Sequence, residues 1–140
     1  MKYLLAVLLA STFAFTACDS LLVEEQNCKN CAGVPCTYEF KMIPISVVTA
    51  SGQPALLSDI SLSYSQSGES IDISQDEGFG GGQYIIATDA MLEEVACEGT
   101  EIIFSYSTDG NVYSEETFLI GKDCCHIQYL DEKERRIVVD

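Results

Sequence analysis

The chain has 140 residues, 47% of them apolar, and sets 22 acidic residues against seven basic ones for a formal net charge of −15. So acidic a balance excludes nucleic acid as a partner, because too few cations exist to neutralise its phosphates. The acids are scattered among Ile, Val, Tyr and Phe rather than gathered in a tail, which argues for one folded domain and against disorder.

Residues 2 to 17, KYLLAVLLASTFAFTA, carry one positive charge, then an apolar stretch, then small residues, the layout of a secretory signal peptide. The uncharged stretch from Tyr3 to Ala17 is shorter than the roughly 17 to 25 residues a membrane-spanning helix needs. It ends in Phe15-Thr16-Ala17-Cys18, which resembles the lipobox of bacterial lipoproteins, where an apolar residue and two small ones precede a cysteine. That resemblance implies cleavage between Ala17 and Cys18, a diacylglycerol on the Cys18 thiol and acylation of the new amino group. Two or three acyl chains anchor stably, at ~0.8 kcal/mol per buried methylene. The expected partner is therefore a membrane, reached through a lipid on Cys18, with the domain tethered rather than spanning. Asp19 resembles an inner-membrane retention signal of enterobacteria. Acidic residues near the anchor instead resemble a surface-export signal of the Bacteroidetes group, whose O-glycosylation motif Asp19-Ser20-Leu21 also resembles. The expected location is the outer membrane or cell surface, with the periplasmic face of the inner membrane as the alternative.

Residues 18–35 are expected to form the lipidated cysteine and a tether, and 36–140 the domain. Setting Cys18 aside leaves Cys28, Cys31, Cys36, Cys97, Cys124 and Cys125, an even number in an exported chain, so three disulfides are expected. Fifteen connectivities are open. Three cysteines precede the first strand and three lie far downstream, which favours bridges from N-terminal segment to sheet. Cys124 and Cys125, read as strand neighbours, point to opposite faces and so bond different partners. Two other chemistries are set against this. Cys28-Lys29-Asn30-Cys31 has the spacing of a thiol redox pair, but no strand-and-helix context follows it. The same pair with Cys124, Cys125 and His126 has the makings of a four-ligand zinc site, with which oxidation competes. His126 is the chain's single histidine, and a solvated or capping role is expected for it.

From Cys36 the apolar pattern has a period near two. Tyr38, Phe40 and Met42 alternate with polar residues; Pro44 breaks the run, and Ile45 and Val47 continue it as a bulge or edge. Ser51-Gly52-Gln53-Pro54 is turn chemistry. Ile60, Leu62 and Tyr64 alternate, Gln66-Ser67-Gly68 turns, and Ile71 and Ile73 alternate again. Gly78 to Gly82 reads as a flexible loop, followed by an extended stretch at 83–88. Asp89 to Glu98 has the pattern of a short helix with Asp89 as N-cap and Gly99 beyond its end. Ile102, Phe104 and Tyr106 pair across Thr108-Asp109-Gly110-Asn111 with Val112 to Ile120 as a hairpin. Cys125, Ile127 and Tyr129 share a face, and Arg136 to Val139 makes the last strand. The whole predicts an all-β, disulfide-stapled antiparallel sandwich of about seven strands, with one short helix.

Gly52-Gln53-Pro54 with Ile60-Ser61-Leu62, then Asp76-Glu77-Gly78 and Tyr84-Ile85-Ile86, resembles the carboxypeptidase regulatory-like domain, a transthyretin-like β-sandwich. Asp123-Cys124-Cys125-His126 is similar to the ending of small Bacteroidetes lipoproteins that carry such a domain. The resemblance covers roughly Tyr38 to Val139 and implies a non-enzymatic module.

The residues agree with that implication. No Gly-x-Ser-x-Gly elbow sharpens a serine, and the carboxylate pairs Glu93-Glu94 and Glu115-Glu116 read as solvated surface. No catalytic residue, metal site or cofactor is expected. The glycine loop lacks the Lys and Ser/Thr of a phosphate cradle. Asp72, Asp76 and Glu77 beside it do not match a calcium-loop pattern. Loops over a rigid sandwich suit recognition, with Phe79 and Tyr84 as aromatic contacts or as packing, so a protein, peptide or glycan partner is the remaining expectation.

Overall fold

The computed structural model describes residues 28, 30–75, 80–108 and 112–140. The leader, Cys18 and the tether up to Asn27 lie outside the described residues. Among the described residues, eight strands form two sheets: β1 (Met42–Thr49), β2 (Ser58–Tyr64), β3 (Ser70–Ile71), β4 (Gln83–Thr88), β5 (Thr100–Thr108), β6 (Val112–Lys122), β7 (Ile127–Tyr129) and β8 (Arg136–Val139). One sheet has the order β4-β1-β8 and the other β3-β2-β5-β6-β7. Every pairing is antiparallel except β1 with β8, which is parallel. The expected sandwich is present, and no described helix is long and apolar enough to cross a membrane.

The core follows the two-residue period. Ile43, Ile45 and Val47 of β1 face Ile102, Phe104 and Tyr106 of β5 and Phe118 and Ile120 of β6 in one buried cluster. Phe104 is its centre, with ring centroids 6.1 Å from Tyr84 and 5.4 Å from Tyr106. The β5–β6 hairpin keeps register from Thr100↔Ile120 to Thr108↔Val112, as its alternation predicts; its turn, 109–111, is outside the described residues.

Several expectations are corrected. The inward residues of β1 are the odd-numbered ones, so Tyr38, Phe40 and Met42 belong to the opposite parity and are exposed. The bulge expected at Pro44 is present: the register with β4 shifts between Ile43 and Pro44, leaving Ile86 as an extra residue where the missing N–H is harmless, and β1 continues through Ile45 and Val47. The Ile71–Ile73 alternation yields only the two-residue β3. The expected helix is a single 3-10 turn, Asp89–Met91, preceded by Thr88 in extended conformation with no side-chain cap, and followed by turns; Met91 and Val95 are buried. Asp89 does not cap that turn, because its carboxylate serves other donors. Gly99, at φ +114°, does mark the end of the segment.

The glycine loop is also tighter than expected where it is described. Gly82 sits at φ +79°, and a Cβ there would come within 2.6 Å of the Val47 carbonyl oxygen. The Gly82 carbonyl accepts from the Val47 N–H at 2.6 Å, so this end of the loop is a close backbone crossing over β1.

Candidate functional site

Two places bring chemistry-bearing side chains together. The first is the base, where the strap of residues 28–41 crosses the sandwich. None of its described residues is buried, so hydrophobic packing does not hold it. Three disulfides do: Cys28–Cys97, Cys31–Cys124 and Cys36–Cys125, with Cα atoms 5.8, 5.2 and 5.3 Å apart. Each joins an N-terminal cysteine to a downstream one, and Cys124 and Cys125 take different partners. They diverge from a turn, not a strand: the Asp123 carboxylate accepts from the N–H groups of Cys125 and His126, both at 2.7 Å, and β7 starts only at Ile127. Cys28 and Cys31 bond separate partners rather than each other, and their sulfurs are engaged in disulfides. Among the described residues no group of three or more His, Cys, Asp and Glu is placed to hold a metal ion.

Asp89 organises the polar part of the base. Its side chain is 8% exposed, and it accepts from the Lys41 N–H at 2.7 Å, the Ile127 N–H at 2.9 Å and His126 Nδ1 at 2.7 Å. Burial raises the Asp89 carboxyl, but these hydrogen bonds outweigh it and hold the group below its ordinary range. Asp123 is held low in the same way: burial opposes, and the Cys125 and His126 N–H groups, the Gln128 amide and the His126 charge prevail. The Lys41 ammonium donates to Gln128 Oε1 at 3.2 Å. His126 is thus half-buried rather than solvated. Nδ1 faces Asp89, and on the other side of the ring Nε2 hydrogen-bonds the Thr37 hydroxyl at 3.1 Å, a group that can donate or accept. Asp, His and a hydroxyl stand here in the order of an acyl-transfer relay. Thr37 is on open surface, however, beside neither cleft described below, and what the chain of bonds accomplishes is to fasten the strap to β7.

The second place is the edge where β3 and β4 bound the two sheets. A cleft of about 470 Å³ is lined by Leu56, Leu57, Ile60, Gln75, the glycines 80–82, Gln83 and Tyr84. A smaller one of about 240 Å³ shares Ile60 and Gln75 with it and adds Ser61, Ser70 and Asp72. Gln75 shapes both: its amide donates to the Ile85 carbonyl at 2.8 Å and accepts from the Ile85 N–H at 2.9 Å, occupying the free edge of β4 as a strand would. Tyr84 is not a recognition aromatic. It is buried, and its hydroxyl accepts from the Leu57 N–H at 2.7 Å and donates to the Ala55 carbonyl at 3.2 Å, pinning the cleft wall. Leu56, 74% exposed, is the apolar group the wall offers outward, and sequence gave no cue to it.

Of the remaining sequence candidates, Asp72 lines the smaller cleft, while Asp76, Glu77 and Phe79 lie outside the described residues. Glu115 accepts from Ser105 and Tyr113, and Glu116 meets Lys133 at 3.5 Å, so that pair is split between partners. Glu94 bonds Tyr64, whose phenol is raised by burial and then by the Glu94 and Glu69 carboxylates. No protein-family model matches the chain, and no curated protein or solved structure matches it either.

Proposed function

We propose that the chain is an exported, lipid-anchored protein of a bacterial envelope, displaying a non-catalytic β-sandwich in a structural or interaction role at the outer membrane or cell surface. The observation that carries this is the use of sulfur. Three disulfides consume six cysteines, and the seventh is Cys18, directly behind Phe15-Thr16-Ala17. Disulfides persist in oxidising compartments, which supports export, and a thiol outside the paired set is free for acylation. The sandwich itself is in keeping with the carboxypeptidase regulatory-like resemblance, which implies a non-enzymatic accessory module. Intact mass of the non-reduced mature protein tests the proposal. It should show a chain starting at Cys18, carrying acyl groups and six fewer hydrogens; a retained leader or an unmodified Cys18 thiol sinks it.

A second function is favoured by the edge cleft: recognition of a peptide or glycan segment by Leu56, Gln75 and the glycine turn. A glycan and peptide array, probed with and without calcium, separates this from a purely structural role. Binding that disappears in Leu56→Asp supports recognition, and an array without hits returns the function to structure.

A further inference from the structure

The outer edges of the two sheets are not alike. On β4 the Gln75 amide takes both the N–H and the carbonyl of Ile85, and on β7 the Asp89 carboxylate takes the Ile127 N–H. The strand β3 is only two residues long. At the remaining edge, among the described residues, neither a strand nor a hydrogen bond covers the outer side of β8. Its register with β1 runs without a shift from Ser46↔Arg136 to Thr49↔Val139, so no bulge and no proline spoils a further pairing. The Arg135 carbonyl accepts from the Ser46 N–H, and the Val139 carbonyl from the Ala50 N–H. Odd-numbered residues therefore bond toward β1, and the N–H and C=O groups of Arg136, Val138 and Asp140 point away from it.

The same three residues turn their side chains away from the core. Ile137 is buried between them, whereas Arg136 and Asp140 are exposed and Val138 is 58% exposed. Their order along the edge is cation, aliphatic, anion. We propose that β8 is the interface with a second copy of this chain, paired antiparallel about a two-fold axis through Val138. That register sets the two Val138 side chains beside each other and each Arg136 beside the Asp140 of the other copy. All three are hydrogen-bonded pairs, because their N–H and C=O groups face the seam. Opposite charges across strands stabilise a pairing and like charges oppose it, so a slip of two residues, which parts Arg136 from Asp140, is disfavoured. The edge holds its own complement, and the two-fold closes at two copies, joining the sheets as β4-β1-β8-β8-β1-β4. Residues 132–140 hold three acids and three bases, which relieves along the seam the repulsion between two chains at −15. Three residue pairs bury less than the roughly 1,200 Å² of a stable interface, so the dimer is weak and concentration-dependent. It does not depend on acylation of Cys18.

Two measurements on the full chain test this. Across an antiparallel hydrogen-bonded pair the Cα atoms stand about 5.5 Å apart, inside the roughly 4.4–6.8 Å that a disulfide spans. In an oxidised-glutathione buffer, Val138→Cys should form a disulfide-linked dimer about tenfold faster than Tyr113→Cys, because pairing raises the local thiol concentration. Position 113 is comparably exposed, at 61%, but lies on the other sheet. The non-reduced mass of each variant checks that the three native bridges are kept. Sedimentation in density-matched detergent then follows the unlinked chain. Arg136→Asp and Asp140→Arg each set like charges opposite one another at both ends of the seam and should weaken the dimer about tenfold, and the double variant, with the charges exchanged, should restore it. Equal linking at 138 and 113 overturns the proposal, as does a wild-type chain that stays monomeric up to about 1 mM. A dimer indifferent to both charge reversals assigns the contact to another face, and single losses without rescue overturn the pairing of Arg136 with Asp140.

Discussion

The base and the edge of the sandwich are held by different means. At the base the strap of residues 28–41 buries no apolar side chain, so three disulfides and the Asp89 and Asp123 hydrogen bonds hold it. At the edge the wall formed by Ala55 to Leu57 rests on the core through Tyr84, and one side-chain amide closes β4. Covalent and ionic fastening appears where burial is absent, and neutral hydrogen bonds suffice where the core is near. Covalent fastening is thus concentrated at the base, and the open clefts lie at the edge.

Substitutions test that contrast, beginning with the largest expected effect. Replacing Cys31 and Cys124 together by Ala removes a bridge that, with Cys36–Cys125 intact, closes a loop of only about seven residues, and should lower unfolding free energy by about 2.5 kcal/mol in the chain-entropy account, measured by denaturant titration. Next is Asp89→Asn, which weakens three hydrogen bonds and should cost about 2 kcal/mol at neutral pH. Its pH profile adds a sharper reading. The fold holds the Asp89 and Asp123 carboxyls below their unfolded values, so the stability they supply is full above the ordinary carboxylate range, near 4. It is lost as pH falls below that range through the depressed folded values. The wild type should therefore lose stability more steeply than Asp89→Asn on acidification; parallel curves would contradict the role given to Asp89. Tyr84→Phe should cost only about 1 kcal/mol and speed hydrogen exchange at Leu57 without altering the base. Smallest is Leu56→Ser, within about 0.5 kcal/mol for so exposed a position. If it destabilises as much as the disulfide variant, the two regions are not distinct.

The strands with one strong alternation and clear flanking turns were legible in sequence. The β5–β6 hairpin and the last strand, Arg136–Val139, lie where the pattern put them. Between Tyr38 and Val47 periodicity failed, because Met42 and Ile43 are both apolar and two alternations of opposite parity meet there. A period of two shows that a strand has two faces, not which faces inward. The 89–98 segment misled for another reason: Met91, Leu92 and Val95 have helical spacing, but Asp89 bonds across the chain to His126 and Lys41, a long-range competitor that no local pattern contains. Cysteine parity and the split of three before and three after were visible, whereas connectivity depended on how the strap lies. The edge cleft joins residues from three separated segments and left no sequence mark.

The parallel pairing of β1 with β8 has a consequence in time. β1's outer neighbour is supplied by residues 136–139, and two of the disulfide partners, Cys124 and Cys125, come almost as late. Contacts so distant along the chain form slowly, after loop closure has been overcome. Under the proposed export, with the N-terminus crossing first, the first strand and strap cysteines would be outside well before their partners emerge. Three strap thiols then wait unpaired in an oxidising space, where joining Cys28 to Cys31 is the nearest error. Correct maturation thus requires that early bonds be reversible, through thiol–disulfide exchange, until the last strand arrives.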